Sequence, residues 1–244
     1  MAADGPPSRR LARRQLELRS VTSSELISNW PLGIDSYVAP EIARSALIVI
    51  DTQVDFVDGG SSPIDGTTAL LPNIVHLLEA FRTAVLPIVH VVRLYDGDDV
   101  DLVRRSVLRS GACIVRPGTP GSQIAPELRP EGSDELDPVQ LLKGEPQRLG
   151  PHEVAIWKPR WSAFFRTGLD EHLHQLNVNT VVFAGCNFPN CPRASIYDAS
   201  ERDYRVLVAS DAISRVSEIH LKEAEQIGVV HAPSAKIIER LTLY

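Results

Sequence analysis

Val181-Val182-Phe183-Ala184-Gly185-Cys186-Asn187-Phe188-Pro189-Asn190-Cys191-Pro192-Arg193 is the stretch whose reading decides the fold. An unbroken apolar run stops at Gly185, a short polar connection follows, and a helical segment from Ala194 to Asp203 comes after Pro192. The pattern reads as a buried parallel strand, a sharp turn, and a helix whose first turn carries Cys191. Proline suits the first helical position, because its missing N–H has no partner there anyway and its fixed φ matches the helix. A thiol at that place faces the positive end of the helix dipole, which favours thiolate. Free N–H groups in such a turn can also receive a developing oxyanion. On this stretch alone, a buried inert cysteine is an equal alternative, because free cysteines commonly behave as small hydrophobes.

Working outward, the same signature recurs. Ala46 to Ile50, Pro87 to Val92, Val154 to Trp157 and Arg205 to Ala209 are short apolar runs without alternation, as expected of strands covered on both faces. Between them lie segments with helical spacing. Pro72 is expected to open one that carries Ile74, Leu77, Leu78 and Phe81, and Leu169, Leu173 and Leu176 mark another. Ser217 starts a third, with Ile219, Ala224 and Ile227; Val229-Val230 reads as a short last strand and Ile237 to Leu241 as a final helix. Alternating β and α elements predict a three-layer α/β/α sandwich on a mostly parallel sheet of Rossmann-like topology. In such sheets ligands lie beyond the carboxyl ends of the strands. Asp51 follows the first run directly, and Lys158, held extended by Pro159, follows the Val154 run. A nucleophile, a base and a cation are thereby expected at one mouth of the sheet.

The 244 residues suffice for one sizeable core. We divide them into a tail and wrapping arm over 1–44 and a single α/β domain over 45–244, with a Pro/Gly-rich insertion at 116–151 read as lying over the site. The formal charge of −6 argues against nucleic acid or an anionic membrane as partner, and no apolar run approaches a membrane-spanning length. Arg9-Arg10 is not followed by the apolar stretch that an export signal needs. Three cysteines are too few, and odd in number, for a disulfide framework, so a cytoplasmic location is expected. No Gly-rich dinucleotide loop, phosphate loop or Gly-x-Ser-x-Gly elbow is present, so no cofactor is expected. The acids Asp96, Asp98, Asp99 and Asp101 are read as a hydrated loop leading into a helix, and His172-x-His174 would point to different faces of a helix.

Ile50-Asp51-x-Gln53-x-Asp55-Phe56, Lys158-Pro159-Arg160-Trp161-Ser162-Ala163-Phe164, and Gly185-x5-Cys191 followed by Ala194-x3-Asp198-Ala199 together resemble the isochorismatase-like cysteine hydrolase superfamily. Nicotinamidases, N-carbamoylsarcosine amidase, ureidoacrylate hydrolases and biuret hydrolases belong to it. The resemblance implies a catalytic triad of Asp51, Lys158 and Cys191, with the oxyanion on the backbone N–H groups of Asn187 and Cys191 and a cis peptide at Cys186–Asn187. It implies hydrolysis of a small amide, ureido or carbamoyl compound through a thioacyl-enzyme, in a homodimer or homotetramer. Phe56 and Trp161 would wall the pocket. Phe188 stands where relatives often carry a small turn residue, and is expected to shape the pocket floor. Arg193, beside the nucleophile, or Arg116 is expected to pair with a substrate carboxylate. The Asp-x-His of a nicotinamidase metal site is absent after the second strand, so no metal is expected. Two other readings stay open: a non-covalent vinyl-ether hydrolase of the isochorismatase type, and a non-catalytic binding protein on the same fold.

Overall fold

The computed structural model describes Pro31 and residues 33 to 243. The N-terminal part of the expected tail lies outside the described residues. Seven strands form one sheet: β1 (Ser45–Ile50), β2 (Ile88–Val92), β3 (Gln147–Gly150), β4 (Glu153–Trp157), β5 (Thr180–Gly185), β6 (Arg205–Ile213) and β7 (Val230–Ala232). Their order is β3-β4-β2-β1-β5-β6-β7, with every neighbour pair parallel except β3 with β4. The helices are α1 (Thr67–Thr83), α2 (Leu102–Arg109), α3 (Pro138–Leu142), α4 (Leu169–Gln175), α5 (Cys191–Ser200), α6 (Glu218–Glu225) and α7 (Ser234–Leu241).

Two-residue periodicity sorts the central strands between two cores. Leu47 and Val49 of β1, with Val182 and Ala184 of β5, pack against α1 and α7 through Leu77, Leu78, Phe81 and Ile237. Ala46, Ile48 and Ile50, with Val181 and Phe183, face the opposite layer, where Leu169 and Leu173 of α4 and Ile196 and Ala199 of α5 cover them. Both faces being dry explains why these strands read as continuous apolar runs rather than alternating ones.

Register aligns the carboxyl ends. Ile50 is level with Val91 on one side and Gly185 on the other, and Val92 is level with Trp157. The residues that follow therefore emerge along one edge. Gly185 has φ +116°, and a Cβ there would stand 2.1 Å from the Ile50 carbonyl oxygen, so only glycine lets β5 end against β1.

Several expectations change. Pro72 does not open its helix: α1 begins at Thr67 and Pro72 lies inside it. The earlier start is set by tertiary packing, because Thr67 is buried and its hydroxyl bonds Ser214. The 116–151 segment, read as an insertion over the site, is an ordered part of the fold. It holds two short 3-10 turns, α3 and the antiparallel edge strand β3, and it buries Ile124, Leu128, Leu136 and Leu141 in the α1-side core. It also buttresses the chain after Asp51: Val54 donates to Gln123 O, Ala125 donates to Thr52 O, and Gln53 Nε2 donates to Ser122 O. The described end of the arm packs near β7, with Val38 so close to Gly228 that a Cβ there would meet it at 2.8 Å.

Candidate active site

Asp51 leaves β1 with φ 53°, a left-handed conformation that aspartate tolerates better than most residues. Its N–H donates to Val91 O, and its carbonyl accepts from the Cys186 thiol at 3.0 Å. Lys158 leaves β4 with its N–H on Val92 O. Lys158 Nζ donates to Asp51 Oδ2 at 2.8 Å, with both side chains buried. The second oxygen, Oδ1, is buried and receives no hydrogen bond of ordinary geometry, while the Cys191 thiol stands close enough to couple to the carboxylate as a donor.

Cys191 is the first residue of α5, one turn beyond the strand end. The Cys186–Asn187 peptide is cis, as the family resemblance implies. Among the hydrogen bonds of the described residues, none uses the backbone N–H of Asn187 or Cys191. Two side-chain bridges hold α5 against the loop that follows Lys158. Ala163 N donates to Ser195 Oγ, which itself donates to Cys191 O at 2.7 Å, and Ser162 Oγ bonds Asp198.

Burial works against the acidification expected from the helix dipole. Burial pushes the Cys191 thiol up to about 11, and the Asp51 carboxylate beside it acts in the same direction, against Lys158 and Arg93. The end of a helix dipole contributes at most about 2 kcal/mol, and each pKa unit is worth 1.36 kcal/mol, so desolvation of a sulfur this enclosed wins. The resting sulfur is a thiol that needs a base.

Arg93 escaped the sequence reading. It follows Val92 off β2 as Asp51 follows Ile50 off β1, so the signal was there. Its backbone is clamped by Gln53, whose Nε2 donates to Arg93 O while its Oε1 accepts from Arg93 N. The guanidinium is 1% exposed, pairs with Asp101 at 2.8 Å, and lies 5.1 Å from the Trp161 ring and 5.5 Å from that of Tyr95. Burial disfavours its charge, but Cys191, Tyr95, Asp51 and Asp101 more than offset that and raise its pKa.

A cleft of about 750 Å³ opens on α5. Pro189 and Asn190 of the turn, Arg193 and Tyr197 of α5, and Trp161 line it, and α2 adds Val103 and Arg104. Trp161 and Arg193 lie on the cleft. Phe188 does not: it is buried in the core and stacks on His220 at 5.0 Å, because the turn directs it into the layer beneath α5. Phe56 packs in a separate apolar cluster with Tyr95, Val100 and Cys186. Arg116 lines a neighbouring pocket with Tyr95 and Asp98, not the cleft. Among the described residues, no three His, Cys, Asp or Glu side chains are grouped to hold a metal ion, and no helix is long and apolar enough to cross a membrane.

A parallel sheet with a carboxylate, an ammonium and a thiol along its carboxyl edge places the protein among the three-layer α/β hydrolases of isochorismatase-like topology. More particularly, the chain belongs to the isochorismatase family, whose domain model matches residues 45–232. It is 33% identical over 194 residues, 76% of this chain and 90% of the relative, to an Arabidopsis thaliana protein described as a probable inactive nicotinamidase. It is 25% identical over 205 residues, 77% of this chain and 73% of the relative, to a ureidoacrylate amidohydrolase of Methylobacterium radiotolerans. A solved isochorismatase family protein from Desulfovibrio vulgaris superimposes with a TM-score of 0.69 at 30% identity, covering 82% of this chain and 98% of that one.

Proposed function

We propose that the protein is a cysteine-dependent amidohydrolase that cleaves a small amide, ureido or carbamoyl compound through a thioacyl intermediate. The observation that carries this reading is the geometry of Asp51, whose Oδ2 is held by Lys158 Nζ at 2.8 Å while its buried Oδ1 is not used by any other hydrogen bond of ordinary geometry. Asp51 takes the proton from Cys191 Sγ as the sulfur attacks the carbonyl carbon. The oxyanion accepts the idle N–H groups of Asn187 and Cys191. As the oxyanion collapses, the C–N bond breaks and Asp51 gives its proton to the leaving nitrogen. Water then adds to the thioester, Asp51 takes a proton from it, and the sulfur leaves with that proton restored. Lys158 keeps Asp51 anionic between these transfers; while Asp51 holds the proton, the negative charge sits on the oxyanion. The similarity to a ureidoacrylate amidohydrolase supports an amide-type substrate. The relative described as inactive concerns nicotinamide, and no Asp-x-His follows the second strand of this chain, where the family resemblance puts the nicotinamidase metal site.

The test is ammonia release over a panel of small amides, ureides and carbamoyl compounds. Wild type is expected to turn over at least one, and Cys191→Ala none. Turnover that survives Cys191→Ala would point instead to non-covalent vinyl-ether-type chemistry or another site.

A further inference from the structure

The triad shares its end of the sheet with a second buried ion pair. The strand order puts β2 between β4 and β1, so the residue that follows β2 emerges between the ends that carry Lys158 and Asp51, and that residue is Arg93. Alternation along an extended chain gives its direction. Val91 and Ile156 face the α5 layer, so Arg93 and Lys158, each two residues further on, point to the same side, where Cys191 lies. Arg193, by contrast, is turned away to Glu223 at 3.0 Å.

The partner of Arg93 is Asp101, the N-cap of α2. An aspartate at an N-cap ordinarily accepts from the N–H groups of the first helical turn. Asp101 accepts none of them, and its carboxylate turns instead to Arg93 Nη2 at 2.8 Å. Asp99, two residues earlier, is gripped by Arg160 at 2.6 Å and Arg166 at 2.9 Å, which fixes this segment against the loop after Lys158. The pair is nevertheless incompletely engaged: Arg93 Nε and Nη2 and both Asp101 oxygens are buried without a hydrogen bond of ordinary geometry. An idle buried donor is a cost that an arriving negative charge removes, and donors held in advance act on charge that develops during a reaction. Such charge forms at Cys191. As Asp51 takes the proton, the charge passes from the sulfur to the oxyanion, and Lys158 and Arg93 are the cations facing that place. The other titratable groups around it are the Cys186 thiol at the end of β5 and Tyr95, which faces Arg93, Arg104, Asp51 and Asp101.

We propose that Arg93 is the second cation of the active site, stabilising the negative charge that forms at Cys191 when Asp51 takes the proton, and that Asp101 is its positioning residue. The part in turnover rests on the amidohydrolase reading; the effect on the sulfur is measured without turnover.

The test is the pH profile of Cys191 alkylation by iodoacetamide, read by peptide mass spectrometry. Arg93→Met is expected to move the profile about one unit to higher pH, slowing alkylation about 10-fold at a fixed pH on its rising limb. Arg93→Lys keeps the charge and is expected to stay near the wild-type profile. Removing one ion of a buried pair strands the other, so the double variant Arg93→Met/Asp101→Asn is measured alongside. It is expected to keep the shift to higher pH, because Arg93 faces the sulfur directly and Asp101 lies behind it. With any amide that wild type cleaves, Arg93→Met is expected to lower kcat roughly 10- to 100-fold with KM little changed. A profile unmoved in both Arg93→Met and the double variant would overturn the proposal, and Cys191-dependent ammonia release would then leave the hydrolase reading standing. Arg93→Lys shifting as far as Arg93→Met would assign the effect to packing and overturn the proposal as well. An Arg93-dependent profile in a protein that releases no ammonia from any amide would support the charge role and overturn the hydrolase reading.

Discussion

The Asp51–Lys158 pair makes a sharp energetic prediction. The two charges meet at 2.8 Å with 5% and 0% of their side chains exposed. At an effective dielectric of about 20, their attraction is about 6 kcal/mol. Desolvation of two such ions costs several kcal/mol each, so the pair as a whole adds little to stability, while either ion alone in that place is expensive. Lys158→Met and Asp51→Asn are each expected to destabilise the protein by about 3–5 kcal/mol. Asp51→Asn should be the worse of the two. It leaves Lys158 with only the Arg160 carbonyl at 3.4 Å, whereas Lys158→Met leaves Asp51 still facing the cationic Arg93. The double variant Asp51→Asn/Lys158→Met is expected within about 1 kcal/mol of wild type, because no uncompensated charge is left. All three variants are expected to be inactive in amide hydrolysis. The assay is denaturant unfolding followed by circular dichroism and fluorescence, with coincident transitions required. Single variants that cost under about 1 kcal/mol, or a double variant whose cost equals the sum of the singles, would refute the reasoning.

Alkylation of Cys191 by iodoacetamide is expected to be slow at neutral pH and to accelerate as pH rises toward about 11, because burial and Asp51 hold the proton on sulfur. In Asp51→Asn the profile should shift to lower pH; a plateau already reached at neutral pH in wild type, read by peptide mass spectrometry, would contradict the assignment. Glu153 makes a second pH prediction: burial alone would raise its pKa, but hydrogen bonds from Arg82 and His90 bring it from 4.5 to about 2. Its contribution, about 3 kcal/mol, is therefore complete above pH 4.5 and is lost as pH falls through about 2. Glu153→Gln should flatten this part of the stability curve measured by urea unfolding, and an unchanged acid slope would exclude the network as its source.

How legible the site is varies with how local its cause is. Asp51 and Lys158 are readable because each directly follows an apolar run, and a parallel sheet aligns the ends of such runs. Arg93 obeys the same rule after Val92 and was passed over because the acids that follow it drew the reading toward a loop. Phe188 was misplaced for a different reason: a turn residue can point to the cleft or into the layer below, and only its stacking on His220 decides. Glycine and proline in 116–151 suggest an irregular cover, yet Ile124 and the spaced leucines let that segment pack as part of the wall. The acid that Arg193 pairs with could not be named from the sequence, because Glu223 lies thirty residues away on another helix.

By itself the sequence determined the layer architecture and the edge on which chemistry-bearing residues emerge, since both follow from apolar periodicity and the handedness of β-α-β connections. Tertiary structure alone decided the burial of Cys191, the burial of Arg93 against Asp101 and Trp161, and the pairing of Arg193 with Glu223. The reason is physical. Periodicity is a property of neighbours along the chain, whereas desolvation and charge pairing depend on the distances among segments that only folding brings together.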